Sequence, residues 1–159
     1  LNWFRTYIKG RKFYVRLGDH VSKKHDICFG VAQGSCLGPL LFSLYMLPLG
    51  DIIREHNVCF HSYADDTQLY ISAEPNDAAA INSITTCLLA INKWMSNNFL
   101  KLNEDKTEIL LVGPKTKREM LFNNLGKLTP WIKSEVTSLG VILDSDLSFK
   151  SHINKVTKT

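Results

Sequence analysis

Phe60-His61-Ser62-Tyr63-Ala64-Asp65-Asp66-Thr67-Gln68-Leu69-Tyr70-Ile71 decides how this chain is read. Two short β-type runs, Val58 to Tyr63 and Thr67 to Ile71, flank Ala64-Asp65-Asp66 and form a hairpin signature. Two-residue hairpin tips normally use Asn-Gly, Asp-Gly or Gly-X, because positive φ is required there. On turn geometry alone, adjacent aspartates are a poor choice, and they also repel each other unless a cation intervenes. Mg²⁺ removes that repulsion. It takes one or two carboxylates plus substrate phosphate oxygens and keeps some of its water. Such a pair suits two-metal phosphoryl transfer, with ions about 3.5–4 Å apart that serve the attacking hydroxyl and the leaving group. The plainer reading is a polar surface turn.

Upstream, Gln33-Gly34-Ser35-Cys36-Leu37-Gly38-Pro39 is a turn-rich stretch that opens a helical run from Leu40 to about His56. Pro39 fits the first turn, where its missing N–H costs nothing. Before it, Leu1 to Lys9 has helical apolar spacing, and Lys12 to Leu17 alternates as a half-buried strand ended by Gly18-Asp19. A basic loop, Ser22 to His25, leads to a short apolar strand near Ile27 to Val31. Downstream, Glu74-Pro75-Asn76-Asp77 starts a helix with acids at the positive dipole end. Its stripe of Ile81, Ile84, Leu88, Ile91 and Met95 reads as core, and Asn97-Asn98 ends it in a left-handed cap. Thr107 to Val112 is a strand stopped by Gly113-Pro114, and a polar, irregular stretch runs to about Ser134. Val136 to Leu143 is a strand that turns at Asp144-Ser145-Asp146, and Ser151 to Lys158 is helical. His61 reads as a packed or hydrogen-bonded histidine. Helices mixed with hairpins give an α+β class with a largely antiparallel sheet.

The 159 residues allow about one domain. Apolar residues at 45% and charged residues at 21% argue against disorder. No apolar run approaches the ~18 residues of a membrane span. The opening Leu1-Asn2-Trp3 suggests a piece of something larger. The net charge of +4 is uneven: +5 over residues 1–30, −4 over 31–100 and +3 over 101–159. Basic flanks around an acidic centre suit a polyanion held beside a cation-binding cluster, although solvated surface is the simpler account. Cys28, Cys36, Cys59 and Cys87 show no zinc spacing and read as buried hydrophobes in a reducing compartment.

Taken together, these segments resemble the palm region of a reverse transcriptase of the non-LTR (LINE-type) retrotransposon kind. Tyr63-Ala64-Asp65-Asp66 is similar to the family's catalytic hairpin motif, and Gly30 to Tyr45 to its Gln-Gly turn and long helix. Leu102-Asn103-Glu104-Asp105-Lys106-Thr107 resembles its Asn-x-x-Lys-Thr segment. Leu139-Gly140-Val141 resembles the primer-grip strand, and Leu1 to Leu17 the stretch preceding the Gln-Gly motif. Ala32 stands where the family commonly has Pro. The resemblance spans nearly the whole chain, so residues 1–159 are expected to form a partial palm domain.

The resemblance implies an RNA-directed DNA polymerase, a nucleotidyltransferase acting on an RNA template, a DNA primer and dNTPs. Asp65 and Asp66 would hold two Mg²⁺ ions, and Lys106 would face the leaving pyrophosphate. Tyr63 and Ala64 would lie near the primer terminus and incoming nucleotide. Gln33 and Gly34 would contact nucleotide and template, while Leu139 and Gly140 would hold the primer backbone. Each position has a plainer reading as loop, strand entry or core strand. The family's Asp-x-x-x-Ala-Phe-Asp segment, which supplies a third carboxylate, is not in this sequence, nor are the fingers and most of the thumb. The chain alone is therefore expected to be inactive. The class implies a nuclear location. A non-catalytic nucleic-acid-binding remnant of a decayed element is the alternative; a nuclease is disfavoured because no His cluster or other nuclease-type acid and base accompanies the aspartates.

Overall fold

Helix α1 (Asn2–Ile8) opens the described part of the chain, residues 2–32 and 34–158 of a computed structural model. It buries no residue. The half-buried strand expected over Lys12 to Leu17 is instead two exposed strands, β1 (Lys12–Phe13) and β2 (Arg16–Leu17). Strand β2 turns at Gly18 (φ 58°) and pairs with β3 (His20–Val21), whereas β1 pairs with β4 (His25–Asp26). Alternation sets which residues share a face, but among the described residues that face stays open, with Leu17 81% exposed. The strand expected over Ile27 to Val31 does not form; Gly30, at φ 67°, turns the chain there.

Helix α2 (Gly38–Glu55) starts two residues before the expected position, with Pro39 in its first turn. The chain divides into two compact units between Met46 and Leu47. The buried apolar residues of the described chain all lie in the second: Leu49, Ile53, Val58, Ala80, Cys87, Ile91, Leu125 and Leu128. Burying an aliphatic side chain fully contributes roughly 1.5–3 kcal/mol, so Ile53, with no exposure, is a principal anchor.

Strands β5 (Cys59–Tyr63) and β6 (Asp66–Tyr70) form the expected hairpin. Helix α3 (Ala78–Asn97) begins where Asp77 accepts a hydrogen bond from the Ala80 N–H at 3.0 Å, the N-cap chemistry expected of an acid there. Its C-terminus differs from expectation. Asn98 caps at φ −106°, and Phe99, 91% exposed, takes the left-handed position at φ 56°.

The strand expected over Thr107 to Val112 shortens to β7 (Ile109–Leu110), preceded by a 3-10 turn at Glu104–Lys106. The stretch expected to be irregular contains α4 (Lys115–Asn124), a 3-10 helix at Gly126–Trp131 and β8 (Ile132–Lys133), which pairs parallel with β7. The single strand expected over Val136 to Leu143 folds back as β9 (Glu135–Ser138) and β10 (Val141–Asp144). Helix α5 (Lys150–Thr157) closes the described chain. The α+β class holds, but among the described residues the strands form five two-stranded ladders, four antiparallel and one parallel. Only Cys87 is buried; Cys28, Cys36 and Cys59 are exposed, because their apolar neighbourhoods are not covered.

Candidate active site

Hairpin β5–β6 pairs Tyr63 with Asp66, Ser62 with Thr67, His61 with Gln68, Phe60 with Leu69 and Cys59 with Tyr70. The two-residue tip is therefore Ala64-Asp65, and Asp66 belongs to the strand; the aspartates do not form the tip as a pair. Ala64 takes the positive φ, at 54°. Side chains alternate along a strand, so Phe60, Ser62, Thr67 and Leu69 share one face. Tyr63, Asp66, His61 and Gln68 share the other. The first face meets α2. A Cβ on Gly50 would stand 2.8 Å from the Phe60 ring, so the absent side chain admits that ring, and the Arg54 guanidinium lies over it at 5.2 Å. On the second face His61 stacks diagonally on Tyr70, with ring centroids 5.2 Å apart, and the Tyr70 hydroxyl lies 3.2 Å from Nε2. His61 is thus a packed, hydrogen-bonded residue, as its position suggested.

The amide of Gln68 donates to the hydroxyl of Ser138, the last residue of β9. That bond joins the acidic hairpin to the one carrying Leu139-Gly140. These two residues are a turn and not the strand expected of them. Leu139 and Gly140 sit at φ 47° and 84° between the paired Ser138 and Val141, the positive-φ pattern of a type I′ tip. Leu139 is 59% exposed. At the far end of β10 the Asp144 carboxylate accepts hydrogen bonds from the N–H groups of Asp146, Ser148 and Phe149 and from the Ser148 hydroxyl. The Ser148 N–H foremost, with the others, holds that carboxyl below the usual carboxylate range, against a smaller opposing effect of desolvation.

Lys106 ends the 3-10 turn, where its N–H bonds to the Asn103 carbonyl at 3.1 Å and Thr107 Oγ1 donates to the same carbonyl at 2.9 Å. Its side chain is exposed. The chain then enters β7, which lies alongside β9. Strand β9 thus lies beside the element that follows Lys106 and bonds to the hairpin that carries Asp66. Among the described residues no ion pair joins Lys106 to either aspartate. Gly34, at φ 79° and exposed, lies in the first unit; Gln33 lies outside the described residues.

Asp65 and Asp66 are exposed hard-oxygen donors, the chemistry a divalent ion such as Mg²⁺ prefers. The donor set fits in kind; among the described residues no three His, Cys, Asp or Glu side chains gather at one point. Reasoning from the sequence missed Gly50, Gln68 and Ser138. A glycine inside an otherwise apolar helix was the available signal for the first; the Gln68–Ser138 pairing had none.

A family described as "Reverse transcriptase (RNA-dependent DNA polymerase)" matches residues 2–143. Among curated proteins, the chain is 28% identical over 157 residues to the "Probable RNA-directed DNA polymerase from transposon X-element" of Drosophila melanogaster. It is 27% identical over 158 residues to the "RNA-directed DNA polymerase from mobile element jockey" of the same species. Each of these alignments covers 96% of this chain and 17% of the relative. A "Retrovirus-related Pol polyprotein from type-1 retrotransposable element R1" of Bradysia coprophila is 28% identical over 149 residues, 92% of this chain and 14% of its own length. The chain therefore spans less than a fifth of these relatives. No solved structure matches.

Proposed function

This chain belongs to the reverse transcriptase (RNA-dependent DNA polymerase) family, and from that premise we propose that residues 1–159 are a partial palm of a non-LTR retrotransposon polymerase. Such a polymerase extends a DNA primer on an RNA template. The observation that carries this reading is the exposed hairpin with Asp65 at its tip and Asp66 opposite Tyr63, tied through Gln68 to the Leu139-Gly140 turn. Proteins of this family generally use divalent metal, and here Asp65 and Asp66 would hold a pair of Mg²⁺ ions. When bound, the ions supply Lewis-acid activation of the primer hydroxyl and charge neutralisation of the leaving pyrophosphate.

The chain's own residues do the rest. Tyr63, 70% exposed, offers its ring beside the carboxylates to the primer terminus or incoming nucleotide. Ala64 has no side chain beyond Cβ to obstruct that approach. Lys106 places an exposed ammonium for the leaving pyrophosphate, as a charge or as a proton donor. Leu139 and Gly140 hold the primer backbone from their turn. Gln33 and Gly34 meet nucleotide and template, and a glycine lets backbone come close to a ligand. The basic stretches grip nucleic-acid phosphates without reading sequence. The reading carries an intracellular, reducing and nuclear setting with it.

Primer extension tests the proposal. In the full-length polymerase, Asp65→Asn with Asp66→Asn is expected to cost more than the roughly 10–100-fold that loss of an outer-shell metal partner costs. Undiminished cDNA synthesis overturns the reading. The isolated chain, given primed RNA, Mg²⁺ and dNTPs, is expected to extend nothing, since two carboxylates orient the ions poorly. Measurable extension by it refutes the claim that the site needs a further ligand. The intact acid pair and Lys106 favour a polymerase over a decayed, non-catalytic binding remnant.

A further inference from the structure

Among the described residues up to Ala32, only Tyr7, Arg11 and Ile27 are shielded from solvent even in part. All three belong to one network around the loop that carries Gly34. The Tyr7 hydroxyl donates to Ser35 Oγ at 2.5 Å, a part-buried bond across 28 residues. Arg11 donates from Nη2 to the Gly30 carbonyl at 2.6 Å and from Nε to the Ile8 carbonyl at 3.0 Å. The Arg11 carbonyl in turn accepts from the Ile27 N–H at 2.8 Å. Inside the loop, the Ser35 N–H bonds to the Ala32 carbonyl at 3.2 Å and the Gly38 N–H to the Ser35 carbonyl at 3.1 Å.

We propose that Tyr7 and Arg11 are positioning residues for nucleotide binding: α1 and the residue after its turn clamp both ends of the loop that carries Gly34. Arg11 fixes the entry at Gly30, and Tyr7 fixes the exit at Ser35, three residues before α2 begins. This rests on the reading of Gln33-Gly34 as a nucleotide and template contact. Burial in this unit is selective. Neighbouring large apolar groups, Phe4, Phe13 and Leu17 among them, stay exposed, while a phenol and a guanidinium are drawn in to the loop's polar atoms. A small exposed unit has little apolar packing to hold a loop, so the fixed geometry has to come from directed hydrogen bonds. Misplacing a substrate contact by even about 1 Å costs binding or rate. Trp3 stacks on Tyr7, with centroids 5.4 Å apart and planes 16° from parallel, so removing the hydroxyl alone leaves the ring seated.

The test uses the full-length polymerase on primed RNA, reading KM for dNTP, kcat, template-primer affinity and thermal midpoint. Tyr7→Phe and Ser35→Ala are each expected to raise KM for dNTP by about three- to tenfold, the range of one lost hydrogen bond. The expected kcat stays within about twofold, template-primer affinity weakens by no more than the effect on dNTP because the same loop meets the template, and the thermal midpoint falls by no more than one hydrogen bond accounts for. The double variant is expected to match the singles, because both remove the same bond. Arg11→Lys, which keeps the charge but not the two-pronged donor, is expected to raise KM as well. Unchanged KM in Tyr7→Phe, or additive effects in the double, overturns the proposal. If Asp65→Asn with Asp66→Asn abolishes extension while Tyr7→Phe does nothing, the polymerase reading stands and the clamp falls. If the acid variant still extends, the polymerase reading itself has failed.

Discussion

Hairpins β5–β6 and β9–β10 each close with two residues, and in each the first is a non-glycine at positive φ: Ala64 at 54° and Leu139 at 47°. They part at the second residue. The later hairpin follows Leu139 with Gly140, also at positive φ, and fastens its far end with the Asp144 carboxylate. The earlier one follows Ala64 with Asp65, and is steadied by Phe60 seated over Gly50 on α2. One tip needs positive φ at both central residues; the other needs it only at Ala64, which leaves its second position free for an exposed acid.

That contrast can be broken at four points. The largest effect is functional. Asp65→Asn with Asp66→Asn is expected to remove extension while leaving the unfolding free energy within about 0.5 kcal/mol, as exposed substitutions generally do. A parallel loss of stability makes the acids structural. Next, Gly140→Val places a β-branched residue at φ 84° and is expected to destabilise the chain by about 1–3 kcal/mol in denaturant unfolding, whereas Asp65→Ala is nearly silent. Equal costs at the two tips erase the distinction. Third, Ala64→Gly and Leu139→Gly each relieve left-handed strain, offset by the entropy of a freer unfolded chain. Each is expected to gain up to about 1 kcal/mol, and a loss at either shows that its methyl or isobutyl group packs. The smallest effect is in pH. The folded-state pKa of Asp144 is lowered, so its stabilisation is complete above the unfolded carboxylate value of about 3.9 and disappears as pH falls through the folded value. Asp144→Asn is expected to flatten that acid limb in pH-dependent thermal unfolding; an unaltered limb assigns the acid sensitivity elsewhere.

What the chain's letters disclosed follows the same physics. Helix α3 was legible because Asp77 caps it and its apolar residues recur at three and four. The acidic hairpin was legible because β-type runs flank it on both sides and pair in register. Helix α4 was not: Lys115-Thr116-Lys117-Arg118 puts cations at its positive dipole end, and its apolar residues form no stripe. The Leu139-Gly140 turn was hidden because leucine at positive φ is a choice that local propensity argues against. In the first unit alternation was read correctly as faces and wrongly as burial, since burial depends on a covering layer that one segment's letters do not specify. Of the proposed site, the hairpin acids and Lys106 could be picked out in advance. The links between them could not, because the Gln68–Ser138 bond spans 70 residues and leaves no periodic trace.

Gly50 makes α2 a gauge for the hairpin above it. A single methyl there would meet Phe60 and tilt a strand whose other end, Tyr63, stands about 10 Å further along at ~3.3 Å per residue. Variation along one helical face is thereby translated into aim at the opposite extremity, so drift in this lineage should be scarcer beneath the strand than its distance from the chemistry would suggest.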